Sequence, residues 1–204
     1  MFASQWHLLN SGQAGGVDGE DIFAPEAWNI INRSPNVDIA VIDGGIQVDH
    51  PDLVNNIWNN SGEIPGNNID DDGNGYIDDI TGWNFVNNNG IPYADLHGTH
   101  VAGIIGAEGN NSKGISGVTW DANLMSLDVF GSAETAYNSD IISAIYYAAD
   151  NGAEVINMSV GSLIPYSSLS DYRLSDPTQY SIWYEALKYA TDKGSTVVIS
   201  AGNE

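Results

Sequence analysis

Residues 37–45, "VDIAVIDGG", read as a strand buried on both faces that ends in a carboxylate. Ile39, Ala40, Val41 and Ile42 follow one another without polar alternation, the pattern of a central parallel strand rather than of an antiparallel strand with one wet face. Asp43 closes the run, and Gly44 and Gly45 after it allow a sharp turn and the close approach of another backbone. Three more apolar runs have the same character: "NLMSLDVF" (123–130), "EVINMSV" (154–160) and "STVVISA" (195–201). Helix-like segments lie between them: "HGTHVAGIIGA" (97–107), "SDIISAIYYAADNG" (139–152) and "SIWYEALKYATDKG" (181–194). In the second, Ile141, Ile142, Ile145 and Ala149 recur at helical spacing, with Ser139 or Asp140 as cap and Gly152 as stop. The third ends at Gly194, after Lys193 complements the helix C-terminus. The alternation predicts an α/β fold with a mostly parallel β-sheet flanked by helices on both faces. Chemistry in such sheets gathers at the carboxyl ends of strands, which here means Asp43, residues 157–161 and Ala201-Gly202-Asn203.

The chain has 204 residues and 42% hydrophobic content, enough for one substantial core and too little for two. It has no cysteine, so disulfides are excluded. No window approaches the roughly 18 uninterrupted apolar residues of a membrane span, and "MFASQWHLLN" has neither the basic start nor the apolar run of an export signal. Five Lys and Arg face 27 Asp and Glu, a formal charge of -22, which argues against nucleic acid or an anionic membrane as partner. Cations are the better company for such a surface.

Residues 55–90 form an insertion rich in Asn, Gly and Asp, expected to be too polar for the core and too long for an ordinary connection. Within it, "DDDGNGYIDD" (70–79) places Asp70, Asp72 and Asn74 at alternate positions ahead of Gly75, like the first half of a calcium loop. The Tyr76 carbonyl and Asp78 or Asp79 would complete the set, while Thr81 stands where an EF-hand has its bidentate Glu. Carboxylates this dense repel one another unless a cation joins them, and a structural calcium ion is the expected cofactor.

His97 and His100 stand at the start of the first helix, with Asp95 nearby. A zinc site from these residues is one reading, although the helical His-Glu-x-x-His pattern is absent. The alternative gives His97 the chemistry and makes His100 a hydrogen-bonded core histidine. Four blocks in order, "VDIAVIDGGIQVDHPDL", "HGTHVAGIIGA", "INMSVGS" and "VVISAGNE", resemble the subtilisin-like serine proteases, the subtilases. The opening "QWHLLNSGQAGGVDGEDIFAPEAW" also looks like the lead-in of larger bacterial subtilases, so the resemblance covers the chain from about Gln5 to its end.

That resemblance implies a subtilisin-like sheet and a serine endopeptidase acting through an acyl-enzyme. Asp43 matches the carboxylate that orients the imidazole, and His97 matches the general base. Asn203 matches the side-chain amide donor to the oxyanion. Ser159, Val160 and Gly161 match one edge of the cleft that binds an extended polypeptide as an added strand, with Ala133 to Ala136 opposite. Gln5, Asp52 and Asn111 match positions that bind a second calcium ion. The family usually has Ser or Thr, sometimes Asp, where Gly44 stands, which predicts looser packing beside Asp43, and usually a second Gly where Ser162 stands.

A "GTSMAxP"-like stretch with the nucleophilic serine is expected well downstream of Asn203, and none of the serines in the chain fits that context. Residues 1–204 thus read as a partial catalytic domain with a lead-in over 1–36 and a calcium-loop insertion over about 55–90. It would be incomplete at its C-terminal side, inactive alone, and partnered by the missing C-terminal part of the same domain. The family further implies an extracellular or cell-surface location. An inert, calcium-stabilised binding or structural module on the same fold is the alternative, and a metal-dependent hydrolase using Asp43, His97 and His100 is a third reading.

Overall fold

The computed structural model describes residues 4–132, 135–161 and 168–202. Its strands are β1 (Asp38–Asp43), β2 (Gly82–Asn84), β3 (Asn123–Asp128), β4 (Val155–Met158) and β5 (Thr196–Ile199). They form one five-stranded sheet in the order β2-β3-β1-β4-β5, with every pairing parallel. The α-helices among the described residues are α1 (Ala24–Trp28), α2 (Leu96–Gly106), α3 (Asn138–Asp150), α4 (Leu169–Ser175) and α5 (Pro177–Asp192).

The central place of β1 accounts for its unbroken apolar run. Ile39 and Val41 face the α2 side with Leu124 and Ala102, while Ala40 and Ile42 face the α3 and α5 side with Met125, Leu127, Ile156 and Met158. Each Ile, Val, Leu or Met among these, fully removed from water, contributes roughly 1.5–3 kcal/mol. Helix α2 lies close to the sheet because its buried positions are Gly98, Ala102, Gly103 and Gly106, and a Cβ on Gly106 would already touch Ala122 and Leu124. The α/β architecture with helices on both faces is the one expected.

Three local expectations need correction. Tyr137 is the N-cap of α3 and makes no side-chain cap bond; Ser139 and Asp140 lie inside the first turn, where Asp140 meets the positive end of the helix dipole. Helix α5 starts at Pro177, ahead of the apolar run that marks it in the sequence, because Asp176 accepts from the Gln179 N–H at 3.1 Å and proline suits the first turn. The stops at Gly152 (φ 80°) and Gly194 (φ 104°) stand where expected. Lastly, the 55–90 insertion is not too polar for the core. It supplies strand β2, and Trp58, Trp83, Asn60, Glu63, Asp79 and Asn84 are all buried.

Strand β5 is the outer strand beside β4, and Val198 and Ile199 are each 49% exposed while Val197 packs against the α3 and α5 core. No helix among the described residues is long and apolar enough to cross a membrane.

Candidate active site

Strand β1 delivers Asp43 to the carboxyl end of the sheet, and residues 43–46 are buried. Helix α2 starts with its first turn against that end. A Cβ on Gly98 would lie 2.2 Å from the Gly45 carbonyl oxygen and 3.2 Å from Asp43 Oδ1, so only glycine after His97 lets the helix approach this closely. Gly45 (φ 93°) is constrained from the other side, since a Cβ there would sit 2.0 Å from the Tyr93 carbonyl. Asp95 is the N-cap of α2, its Oδ2 accepting from the Gly98 N–H at 2.9 Å.

These constraints bring His97 and Asp43 together. Nδ1 of His97 lies 2.9 and 3.0 Å from the two oxygens of Asp43, and Asp43 Oδ1 also accepts from the Gly44 N–H at 2.8 Å. The carboxylate is 2% exposed, whereas the imidazole is 63% exposed. With Nδ1–H donating to Asp43, Nε2 keeps the lone pair that a base needs. The hydrogen bond to Asp43 raises the His97 pKa, with the Asp43 and Asp95 charges adding and desolvation opposing.

Gly44 does not loosen this corner. The space beyond its Cα is filled by Asp95, whose Cγ would lie 2.8 Å from a Cβ at position 44. His100 is exposed rather than a core residue. The ligating groups that do converge are Asp43, Asp95 and His97, all within 4.8 Å of one another, with His100 outside the group. The sequence offers Asp95 only as a neighbour in the zinc reading; its place immediately before the first helical residue, Leu96, is the signal of the cap it forms.

The expected substrate edges are described in part. Ala136 is partly buried against the core; Ser159 accepts from Asn157 Nδ2 at 3.1 Å, and the Val160 carbonyl accepts from Ser200 Oγ at 2.9 Å. Gly161 is exposed and comes to within 4.0 Å of Gly202 Cα from its Cβ position, which sets the end of β5 beside that edge. Ala133, Ser162 and Asn203 lie outside the described residues.

In the acidic loop, Glu63, Asp70 and Asp72 offer ligand oxygens within 4.8 Å of one another. Glu63 has no sequence mark of its own, and Asp78 and Asp79 lie outside this cluster. The two oxygens of Asp78 accept from the backbone of Gly66, Asn67 and Asn68. Asp79, wholly buried, accepts from Tyr147 Oη at 2.5 Å, Asn60 Nδ2 at 2.8 Å and Asn74 Nδ2 at 3.0 Å. Burial raises the Asp79 pKa although these three donors pull it down, and burial beside Asp79 pushes the Tyr147 hydroxyl up as well. Tyr76 packs its ring edge to face on Tyr147 at 4.7 Å. Gln5, Asp52 and Asn111 gather at the 111–116 turn: Asn111 Nδ2 donates to Asp52 Oδ1 at 2.7 Å, the Ile115 N–H to Asp52 Oδ2 at 2.8 Å, and the Ser116 N–H to Gln5 Oε1 at 2.9 Å.

The sequence profile of the subtilase family matches residues 34–204. Thermitase of Thermoactinomyces vulgaris is 35% identical over 185 residues, covering 90% of this chain and 53% of that protein. The thermophilic serine proteinase of Bacillus sp. (strain AK1) is 36% identical, covering 90% and 37%, and subtilisin-like protease 1 of Plasmodium vivax is 44% identical, covering 80% and 28%. The chain thus spans about half or less of the length of these relatives. Among solved structures, the nisin leader peptidase NisP of Lactococcus lactis superposes with a TM-score of 0.62 at 29% identity, over 100% of this chain and 51% of that one. The Aeromonas sobria serine protease, solved with its chaperone, gives 0.70 at 25% identity, over 99% and 31%.

Proposed function

The chain belongs to the subtilase family, and we propose that it carries the base and the orienting carboxylate of a serine endopeptidase. The observation that carries this reading is the hydrogen bond of 2.9 Å between exposed His97 and buried Asp43 at the end of the central strand. In the full-length protein, Nε2 of His97 takes the proton of a serine as that oxygen attacks the scissile carbonyl, and Asp43 stabilises the imidazolium that forms. His97 then returns the proton to the leaving amine. Asn203 donates its amide to the oxyanion. Residues 159–161 and the segment ending at Ala136 receive the substrate as an extended strand, through backbone hydrogen bonds. The location proposed is extracellular or at the cell surface.

Calcium is proposed as a structural ion. Glu63, Asp70 and Asp72 supply hard oxygen donors and would hold it, and Asp52, Asn111 and Gln5 would hold a second. When bound, the ion offsets the repulsion among clustered carboxylates. The residues themselves already order the loop, since Asp70 accepts from the backbone of Gly73, Asn74 and Gly75, and Glu63 from that of Asp71, Asp72 and Asp78.

The test is to treat the full-length protein with a fluorophosphonate probe and an internally quenched peptide. Covalent labelling, with hydrolysis abolished in step with it, is the expected result. Hydrolysis that survives full labelling, or that disappears with chelator alone while the fold is intact, would rule out the serine route.

A further inference from the structure

We propose that Asp128 is a positioning residue for the Asp43–His97 pair, holding the Tyr93 segment and the 130–131 turn against the strand ends from which that pair projects. The inference rests on the reading of the site given above. Asp128 is the last residue of β3 and stands directly opposite Asp43 in the parallel register. Residues 39, 41 and 43 on β1 and 124, 126 and 128 on β3 share the α2 face by strand alternation. The two strand ends are also tied by the backbone, the Val129 N–H donating to the Asp43 carbonyl at 2.9 Å.

The carboxylate is 0% exposed and both its oxygens are occupied. Oδ1 accepts from the N–H groups of Gly131 at 2.7 Å and Phe130 at 3.2 Å; Oδ2 accepts from Asn84 Nδ2 at 2.7 Å and the Tyr93 N–H at 3.1 Å. One side chain therefore joins three segments: the end of β2, the entry to α2 and the turn after β3. The Tyr93 contact has the longest reach. Its carbonyl abuts Gly45 in the turn behind Asp43, and two residues later Asp95 both caps α2 and fills the space at Gly44. Fixing Tyr93 thus fixes the depth at which α2 presents His97 to Asp43. Burial raises the Asp128 pKa, the charge of Asp95 adds, and the backbone donors oppose. A neutral amide has the right shape but the wrong hydrogen-bonding: Asn would put an NH₂ donor against N–H donors on one side. A buried carboxylate in this position is therefore retained against its desolvation because four donors need an acceptor.

The experiment compares full-length wild type with Asp128→Asn, Asn84→Ala, Tyr147→Phe and His97→Ala. Three quantities are read: melting temperature, kcat and KM on an extended fluorogenic peptide, and the low-field proton resonance of His97 Nδ1–H, assigned by its absence in His97→Ala. Asp128→Asn should lower kcat about tenfold or more and shift or remove the resonance, and Asn84→Ala should do the same to a smaller degree. Tyr147→Phe, which loosens a different part of the fold, should leave both in place at a comparable loss of melting temperature. A folded Asp128→Asn with wild-type kcat and resonance would overturn the proposal, and if that variant does not fold, an unchanged Asn84→Ala would do so. Absence of hydrolysis in the wild type counts against the protease reading, while the resonance still decides the role of Asp128.

Discussion

Asp43 and Asp79 are both buried aspartates, one at the strand-end site and the other under the acidic loop, and they are satisfied in opposite ways. Asp43 holds an imidazole that is itself 63% exposed, so its partner can exchange a proton with whatever reaches the surface. Asp79 is enclosed by a tyrosine hydroxyl and two amides, none of which changes charge near neutrality. A carboxylate whose partner titrates and faces solvent is placed to support proton transfer, the role proposed for Asp43, whereas one whose partners are neutral and buried orders the chain.

The sharpest way to break this comparison is to remove the partner on each side. His97→Ala in the full-length protein should reduce kcat/KM by about 10⁴- to 10⁶-fold with little change in stability, measured on a fluorogenic peptide. In the wild type, the raised His97 pKa moves the acid limb of kcat/KM above the ordinary histidine value of about 6.5, because only the neutral ring accepts the serine proton. The same shift stabilises the fold fully below about 6.5 and loses that contribution as pH rises through the folded value. A limb centred below 6 would contradict the geometry.

Chelation addresses the loop. Calcium present at 100 times its dissociation constant stabilises by about 2.7 kcal/mol per site, so removal should lower the melting temperature by several degrees, and Glu63→Gln with Asp70→Asn should abolish the share of that difference that comes from the loop site, leaving the share from the Asp52 site. Melting curves that coincide with and without calcium would exclude the ion. Tyr147→Phe comes next. It keeps the shape and takes one donor from a buried carboxylate, for a loss of about 1–3 kcal/mol in denaturant unfolding, while kcat/KM stays within about twofold. A carboxyl raised in the folded state takes up protons more readily there than when unfolded, so its ionisation lowers stability as pH climbs from about 4 through the folded value. Losing the hydroxyl that pulls the Asp79 pKa down should steepen that decline. Gly44→Ser should have the smallest effect, about 1 kcal/mol, because Asp95 must yield space and weaken its cap on α2.

How much was legible in the sequence follows the same division. Strands β1, β3, β4 and β5 stand out as short β-branched and apolar runs, whereas the pairing of Asp43 with His97 comes only from the resemblance of "VDIAVIDGGIQVDHPDL" and "HGTHVAGIIGA" to the subtilases, since a strand-end aspartate and a helix-start histidine 54 residues apart carry no local sign of contact. Strand β2 is hidden, since three residues, Gly82-Trp83-Asn84, carry no period that distinguishes them from a turn. The burial of the insertion was equally hidden, because its polar residues satisfy one another: Asn60 donates to both Asp72 and Asp79, and no local pattern announces a contact 19 residues apart. Glu63 joins Asp70 and Asp72 only through the fold of the loop. The position of Gly44 misled for a similar reason, as its missing side chain is replaced by one 51 residues later.

The acidic loop also bears on how the chain withstands peptidases. Enzymes that bind substrate as an added strand need several consecutive residues in extended conformation. Left-handed residues punctuate this loop at Gly66, Asn68, Gly73, Gly75, Asp78 and Gly82, so no stretch between them exceeds the four residues 69–72. That stretch includes Asp70, Asp71 and Asp72, each anchored by hydrogen bonds. Between Gly66 and Gly82 the chain thus offers a strand-binding peptidase no run longer than four residues free of left-handed backbone.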